Sequence, residues 1–426
     1  MQLHEAKALV DAKAARLEAT IRSISTFLYE HPELGLEEHR AAAYLSRLLA
    51  ERGFQVEPGL AGLPTAFSAV TGGPGPTIAF MAEYDALPAV GHGCGHNLIA
   101  ATAVGAALVL QELALPAVRI MVLGTPAEET VGGKIAMVEA GSFQGVDLAL
   151  IAHPGPRTRV GWPSWASHAL EIRFAGRTAH AGAHPQAGIN ALDALIHTYL
   201  SMRTLRLHLR DDVRMPGIIV KGGEVANVVP ELAVGRFSLR AADCRYLEEV
   251  VIPRVIDCAR GAALATGASV DFAYYEPLFR DAMHVPALVQ ACAGHLEQLG
   301  FAPEPPVPGT GGGVTDVGNV SWVVPTLQFM YAMAPPEVAG HSREFAAATL
   351  DRPGQQAAGR AARALAYLAL DYILDDRVRE NVLREFREKT SGTRPAAAPG
   401  PESGRPAQTA VTPAVAAFRF HDGRGL

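Results

Sequence analysis

The chain has 426 residues, 49% hydrophobic and 19% charged, enough for two domains of ordinary size with buried cores. Its formal net charge is −6, so the basic footprint of a nucleic-acid-binding protein is missing. The longest apolar run, Leu98 to Leu110, is too short to span a bilayer, and the charged N-terminus lacks the apolar centre of a signal peptide. The four cysteines (Cys94, Cys244, Cys258 and Cys292) are scattered and imply no disulfide framework, so the expected setting is reducing and cytoplasmic.

Residues 5 to 52 read as helices, broken at His31-Pro32-Glu33-Leu34-Gly35. Thr77 to Met81 is a short apolar run of the kind a buried strand shows, ending at Glu83-Tyr84-Asp85. Leu98 to Leu113 reads as a buried helix, and Val118 to Leu123 as a second strand ending at Gly124-Thr125-Pro126-Ala127-Glu128-Glu129. Gly132 to Ala140 is helical in pattern, and Val146 to Ala152 is a third strand ending at His153-Pro154-Gly155. Alternating strands and helices predict a mostly parallel α/β sheet, whose ligands bind beyond the carboxyl ends of the strands.

After Trp162 the pattern changes. Strands are expected over 168–174, 217–222, 232–240 and 269–275, and helices over 188–207 and 247–265. That order, βαββαβ, is the order of a ferredoxin-like unit. The expected organisation is a first domain of residues 1–163 and 279–389 with residues 164–278 inserted. A Gly-rich loop, Thr310 to Gly313, precedes Asp316, and a last strand, Thr326 to Tyr331, runs toward Gly340-His341-Ser342. Residues 390–426, rich in Pro, Ala, Gly and Ser, read as a disordered tail.

The chemistry concentrates at the predicted strand ends. Gly91-His92-Gly93-Cys94-Gly95-His96-Asn97 brings a thiol and an imidazole together in a glycine-rich loop, and such ligands suit a transition metal. Glu128 and Glu129 can divide two roles, one binding a metal and the other accepting a proton from water. Each residue alone has a plainer reading: a solvated carboxylate pair, a small buried cysteine, a structural histidine. With one glutamate kept as the base, Cys94, His96, the other glutamate, His153 and His341 offer five metal donors. Arg240, at a strand end, is a candidate for holding a substrate carboxylate, with a structural ion pair as the alternative.

Several segments carry a resemblance: HPELGLEE (31–38), EYDALP (83–88), GHGCGHN (91–97), PAEE (126–129), AHPG (152–155), GRTAHAGAHPQAGINALDA (176–194), NVVPEL (227–232), TDVGNVSW (315–322) and GHS (340–342). Over about residues 20 to 375 the chain resembles the co-catalytic metallopeptidases and amidohydrolases related to carboxypeptidase G and aminoacylase. The nearest branch is similar to the p-aminobenzoyl-glutamate hydrolases and N-acyl-amino-acid amidohydrolases. The resemblance implies two divalent metal ions per subunit (Mn, Zn or Co), held by Cys94, His96, Glu129, His153 and His341, with Glu128 as general base. Many relatives outside this branch carry a His-x-Asp segment, whereas here Glu83 takes the His place and Asp85 keeps the Asp place. Cys94 then substitutes as a ligand, and Asp85 becomes the residue that orients a ligand histidine. The inserted domain would be a lid and dimerisation module, with His180 and Asn227 reaching a substrate in the partner's site of a homodimer. The expected reaction is hydrolysis of an amide in a small N-acyl amino acid, dipeptide or aryl-amide conjugate. Two rivals are a cysteine hydrolase using Cys94 and His96, which leaves four donors idle, and a non-catalytic binding protein on the same fold.

Overall fold

The structure is a computed structural model that describes residues 1–307, 311 and 313–391. Thr310 and Gly312 of the Gly-rich loop, and residues 392–426 of the expected tail, lie outside the described residues. The elements run α1 (Leu3–Glu30), α2 (His39–Glu51), β1 (Gln55–Pro58), β2 (Phe67–Gly72), β3 (Thr77–Ala82), α3 (His96–Gln111), β4 (Arg119–Gly124), α4 (Gly133–Glu139), β5 (Leu148–Gly155), β6 (Arg159–Val160) and β7 (Ala166–Ala175). They continue with α5 (Ala191–Leu205), β8 (Gly217–Lys221), β9 (Leu232–Ala241), α6 (Cys244–Tyr246), α7 (Ile252–Thr266), β10 (Ser269–Tyr274) and α8 (Pro286–Gln298). The last are α9 (Val317–Ser321), β11 (Thr326–Ala332), α10 (Arg343–Ala348), α11 (Arg352–Leu374) and α12 (Asp376–Thr390).

The chain forms two compact units. The first holds Met1–Ser167, Arg240–Leu247 and the described residues from Leu278 on. Its seven-stranded sheet has the order β1-β2-β4-β3-β5-β11-β6. The central four strands, β4, β3, β5 and β11, are parallel, while β1, β2 and β6 pair antiparallel at the edges. Every residue of β3 is buried, as expected of a strand covered on both faces. From β3 the chain goes to β4 on one side and later to β5 on the other, so β3 is the switch point where such sheets open a crevice. α3 is buried from His96 to Leu110. Small residues allow this: a Cβ at Gly105 would lie 2.9 Å from Ile21 of α1.

The second unit holds His168–Leu239 and Glu248–Pro277 among the described residues. Its four-stranded sheet has the order β10-β7-β9-β8, with α5 and α7 packed on each other. In sequence these elements follow β7-α5-β8-β9-α7-β10, a βαββαβ succession.

The structure departs from the sequence expectation at several elements. β1 and β2 were not foreseen, because β2 is defined by antiparallel pairing with β4, about fifty residues on, rather than by a local apolar pattern. The single helix expected over 247–265 starts with a wider π-type turn over Leu247–Val251 before α7, where Pro253 occupies the first turn. Among the described residues, no helix is long and apolar enough to cross a membrane.

Candidate metal centre

The first unit brings the strand-end residues together. Glu83 and Asp85 follow β3, Glu128 and Glu129 follow β4, and His153 lies near the end of β5. Cys94 and His96 sit at the start of α3, whose N-cap Gly95 has φ +82°. A Cβ at Gly95 would come within 2.5 Å of Pro154, so only glycine lets this loop lie against the end of β5. His341 arrives on the loop between β11 and α10, where its N–H donates to the Gly93 carbonyl at 2.8 Å. His341 has φ +63° and Ala127, just before the glutamate pair, φ +61°. Such backbone is costly for residues with a Cβ, and it concentrates where function over-determines geometry.

Three overlapping groups of donors form: Cys94, His96 and His153; Cys94, Glu129 and His341; and His96, Glu128 and Glu129, with ligand atoms within 4.8 Å of one another in each group. Cys94 Sγ lies 3.5 Å from His153 Nε2, and His341 Nε2 lies 3.4 Å from Glu129 Oε1. Each ring is oriented from behind. His96 Nδ1 donates to Asp85 Oδ1 at 2.8 Å, and His153 Nδ1 to the Pro154 carbonyl at 2.7 Å, which leaves both Nε2 atoms facing the centre. Asp85 also holds the glutamate turn, because its Oδ2 accepts the Glu129 N–H at 2.9 Å.

Two of these facing atoms, His96 Nε2 and Glu129 Oε1, are buried and have no hydrogen-bond partner among the described residues, as is true of Glu83 Oε2. Buried polar atoms are rarely left so, and converging lone pairs from imidazole, thiol and carboxylate are what a divalent metal requires. The residues present therefore fit the metal.

Beneath lies a group that sequence reasoning did not assign. Lys134, fully buried on α4, places its Nζ 2.6 Å from Glu83 Oε1 and 2.7 Å from Asp316 Oδ1, while Asp316 Oδ2 accepts the Lys134 N–H. The available signal was a lone lysine in the apolar run Gly133-Lys134-Ile135-Ala136-Met137.

The electrostatics follow from these neighbours. Burial alone would raise the Asp85 carboxyl, but the His96 imidazole and its hydrogen bond hold it below its usual range. Burial opposes the Lys134 charge, yet Asp316 and Glu83 push it up. Burial, with the Glu83 and Asp316 charges, pushes the Glu128 carboxyl well up. Burial pushes the Cys94 thiol up although His96 pulls it down, the reverse of the environment that makes a thiolate nucleophile.

The remaining candidates are not part of this cluster. His180 and Asn227 belong to the second unit and are exposed. Arg240 is half-buried near the end of β9.

The profile of peptidase family M20/M25/M40 matches residues 79–358. The chain is 38% identical to the Xaa-Arg dipeptidase of Mus musculus, over 89% of this chain and 91% of that one. It is 29% identical to the N-acetyl-L-cysteine deacetylase of Bacillus subtilis (strain 168), over 55% of this chain and 62% of that one. Its fold matches the crystal structure of a dinuclear metal binding peptidase of the M20 family from Bacillus subtilis, with a TM-score of 0.65 at 21% identity, covering 84% of this chain and 99% of that one. A site of converging donors for divalent metal at the ends of parallel strands, in a chain matched over nine-tenths of its length, has one consistent explanation: the protein belongs to the M20/M25/M40 peptidase family and is a metal-dependent hydrolase of amide or peptide bonds.

Proposed function

We propose that the protein cleaves the amide bond of a small dipeptide or N-acyl amino acid with a free carboxylate, using two divalent ions per subunit, Mn, Zn or Co. Cys94, His96, Glu129, His153 and His341 would hold them. The observation that carries this reading is the convergence of unpaired His96 Nε2 and Glu129 Oε1 beside Glu128. When bound, the ions would polarise the scissile carbonyl and lower the pKa of a nearby water. Glu128 takes the proton of that water as general base and passes it to the leaving nitrogen. Asp85 keeps the His96 tautomer that leaves Nε2 free to ligate. The identity to a protein named for dipeptide cleavage favours dipeptides within this substrate class.

The second unit, taken as residues 164–278 of the sequence, we read as a ferredoxin-like lid and dimerisation module. Its βαββαβ order supports this, and the exposed Ile218, Ile219 and Val220 of edge strand β8 suit a homodimer interface. His180 and Asn227 would contact substrate in the partner's site, and Arg240 would hold its carboxylate. His180 Nδ1 accepts the Gly182 and Ala183 N–H groups, which leaves Nε2 as a donor. The free cysteines accord with a reducing cytoplasm.

The test is chelation, reconstitution with each metal, and assay against dipeptides, N-acyl amino acids and aryl-amide conjugates. Full turnover by metal-free protein would reject the reading. Co-expressing His180→Ala with Glu128→Gln tests the trans arrangement. Random pairing should restore about a quarter of the parent activity in mixed dimers, and none if His180 serves its own chain.

A further inference from the structure

The segment His31 to Glu38 joins α1 to α2, yet its contacts are those of a brace rather than a linker. The Glu33 carboxylate accepts the N–H groups of Arg40 and Ala41 and so caps the start of α2. The Glu33 carbonyl accepts the Ala86 N–H at 2.8 Å, tying the segment to the loop after β3. Leu36 turns the chain with φ +71°. At Gly35 a Cβ would meet Thr130 Oγ1 at 2.3 Å and Ala127 Cα at 3.0 Å, so the segment lies directly on the turn that carries Glu128.

Glu38 completes the brace. It is fully buried, its Oε1 accepts the Ala127 N–H at 2.8 Å, and its Oε2 accepts the Thr65 hydroxyl at 2.9 Å. On the other side of Glu128, Asp85 Oδ2 accepts the Glu129 N–H. The general base is thus flanked by two main-chain N–H groups, each held by a buried carboxylate. Ala127 is in the left-handed conformation, which is unfavourable for a residue with a Cβ, and released from Glu38 it would relax. Burial pushes the Glu38 carboxyl up to about 7, so keeping an acid here is expensive.

We propose that Glu38 is a positioning residue: by holding the Ala127 N–H it fixes the left-handed turn that aims the Glu128 carboxylate. This rests on Glu128 being the general base. It assigns the HPELGLEE segment a part in turnover although none of its side chains is placed among the metal donors.

The experiment uses the metal-loaded, full-length enzyme and reads kcat, KM and bound metal per chain. Glu38→Ala should lower kcat about tenfold to a hundredfold, the scale of a base misplaced by about 1 Å, with KM changed less than about threefold and metal content kept. Glu38→Gln, whose amide oxygen can still accept the Ala127 N–H, should recover kcat to within about threefold of the parent. Glu38→Asp, one methylene short, should resemble Glu38→Ala, and it serves if the alanine variant does not fold. Parental kcat in Glu38→Ala or Glu38→Asp overturns the proposal, as does a Glu38→Gln variant as impaired as they are, or loss of bound metal in Glu38→Asp. Glu128→Gln is measured beside them. Full turnover there removes the general base itself, whereas low turnover there with parental kcat in the Glu38 variants removes only the positioning role.

Discussion

Two buried groups of ionisable side chains meet at the ends of the same parallel strands, and they are built in opposite ways. Around Lys134, the ammonium is answered by Glu83 Oε1 and Asp316 Oδ1, and Asp316 also accepts the lysine's own N–H. Around His96, imidazole, thiol and carboxylate atoms converge, and among the described residues His96 Nε2 and Glu129 Oε1 have no hydrogen-bond partner. The first arrangement answers its cation twice, leaving only Glu83 Oε2, on the side toward His96, without a hydrogen-bond partner among the described residues, and its worth is measured by what breaks when one member goes. The second is incomplete without a ligand, since a buried polar atom left unpaired costs about 1 to 3 kcal/mol. Burial and charge are common to both; the difference is that the Lys134 ammonium is answered by two carboxylates whereas His96 Nε2 makes no hydrogen bond among the described residues.

The sharpest test of that contrast lies within the glutamate pair. Glu128→Gln should keep bound metal and lower kcat by about a hundredfold to ten-thousandfold, whereas Glu129→Gln should lose metal first. Metal analysis and kinetics on the two variants decide it, and the reverse pattern would exchange their roles.

Breaking the Lys134 group should act on stability even without metal. Lys134→Met leaves two buried carboxylates uncompensated and should cost about 3 to 5 kcal/mol in denaturant unfolding of the metal-free protein. A loss under about 1 kcal/mol would mean that the cluster is not a framework.

A third kind of buried group lies in the second unit, where His168 stacks on Tyr274 with ring centroids 3.7 Å apart. Burial pushes its pKa down to about 4, from an ordinary value of 6.5. Between these two values the unfolded chain binds a proton that the folded chain does not. Stability is therefore fully present above pH 6.5 and falls as the pH drops toward 4, by up to about 3 kcal/mol. His168→Phe, which keeps the stack, should flatten this part of the pH–stability curve, and an unchanged slope would refute the assignment.

The smallest effect is expected at exposed His341. His341→Ala should leave metal-free stability within about 0.5 kcal/mol of the parent. It should nevertheless reduce the stabilisation that metal brings, which for the parent is about 2.7 kcal/mol at a hundredfold excess over Kd and is read as a rise in melting temperature. Equal metal-induced shifts in both proteins would take His341 out of the donor set.

Much of the first unit was legible because its signals are local. The continuous apolar runs of β3, β4, β5 and β11 and the apolar stretch of α3 announce buried elements within a few residues of themselves. The candidate donors were placed for the same reason, since Glu128 and Glu129 follow β4, His96 opens α3 with Cys94 just before it, and His153 lies near the end of β5, while His341 lies on the loop between β11 and α10. β1 and β2 were not, because antiparallel edge strands exist through pairing with distant chain. Residue types and their order along the chain thus determined the α/β core, the second βαββαβ segment and the set of possible metal donors. Which carboxylate answers which cation, that Lys134 is spent on Asp316 from 182 positions away, that Glu38 grips Ala127 across 89, and that His96 Nε2 and Glu129 Oε1 are left over were decided only by the tertiary structure. The physical reason is that hydrogen bonding is an accounting between atoms brought together by packing, and sequence lists the atoms without saying which will meet.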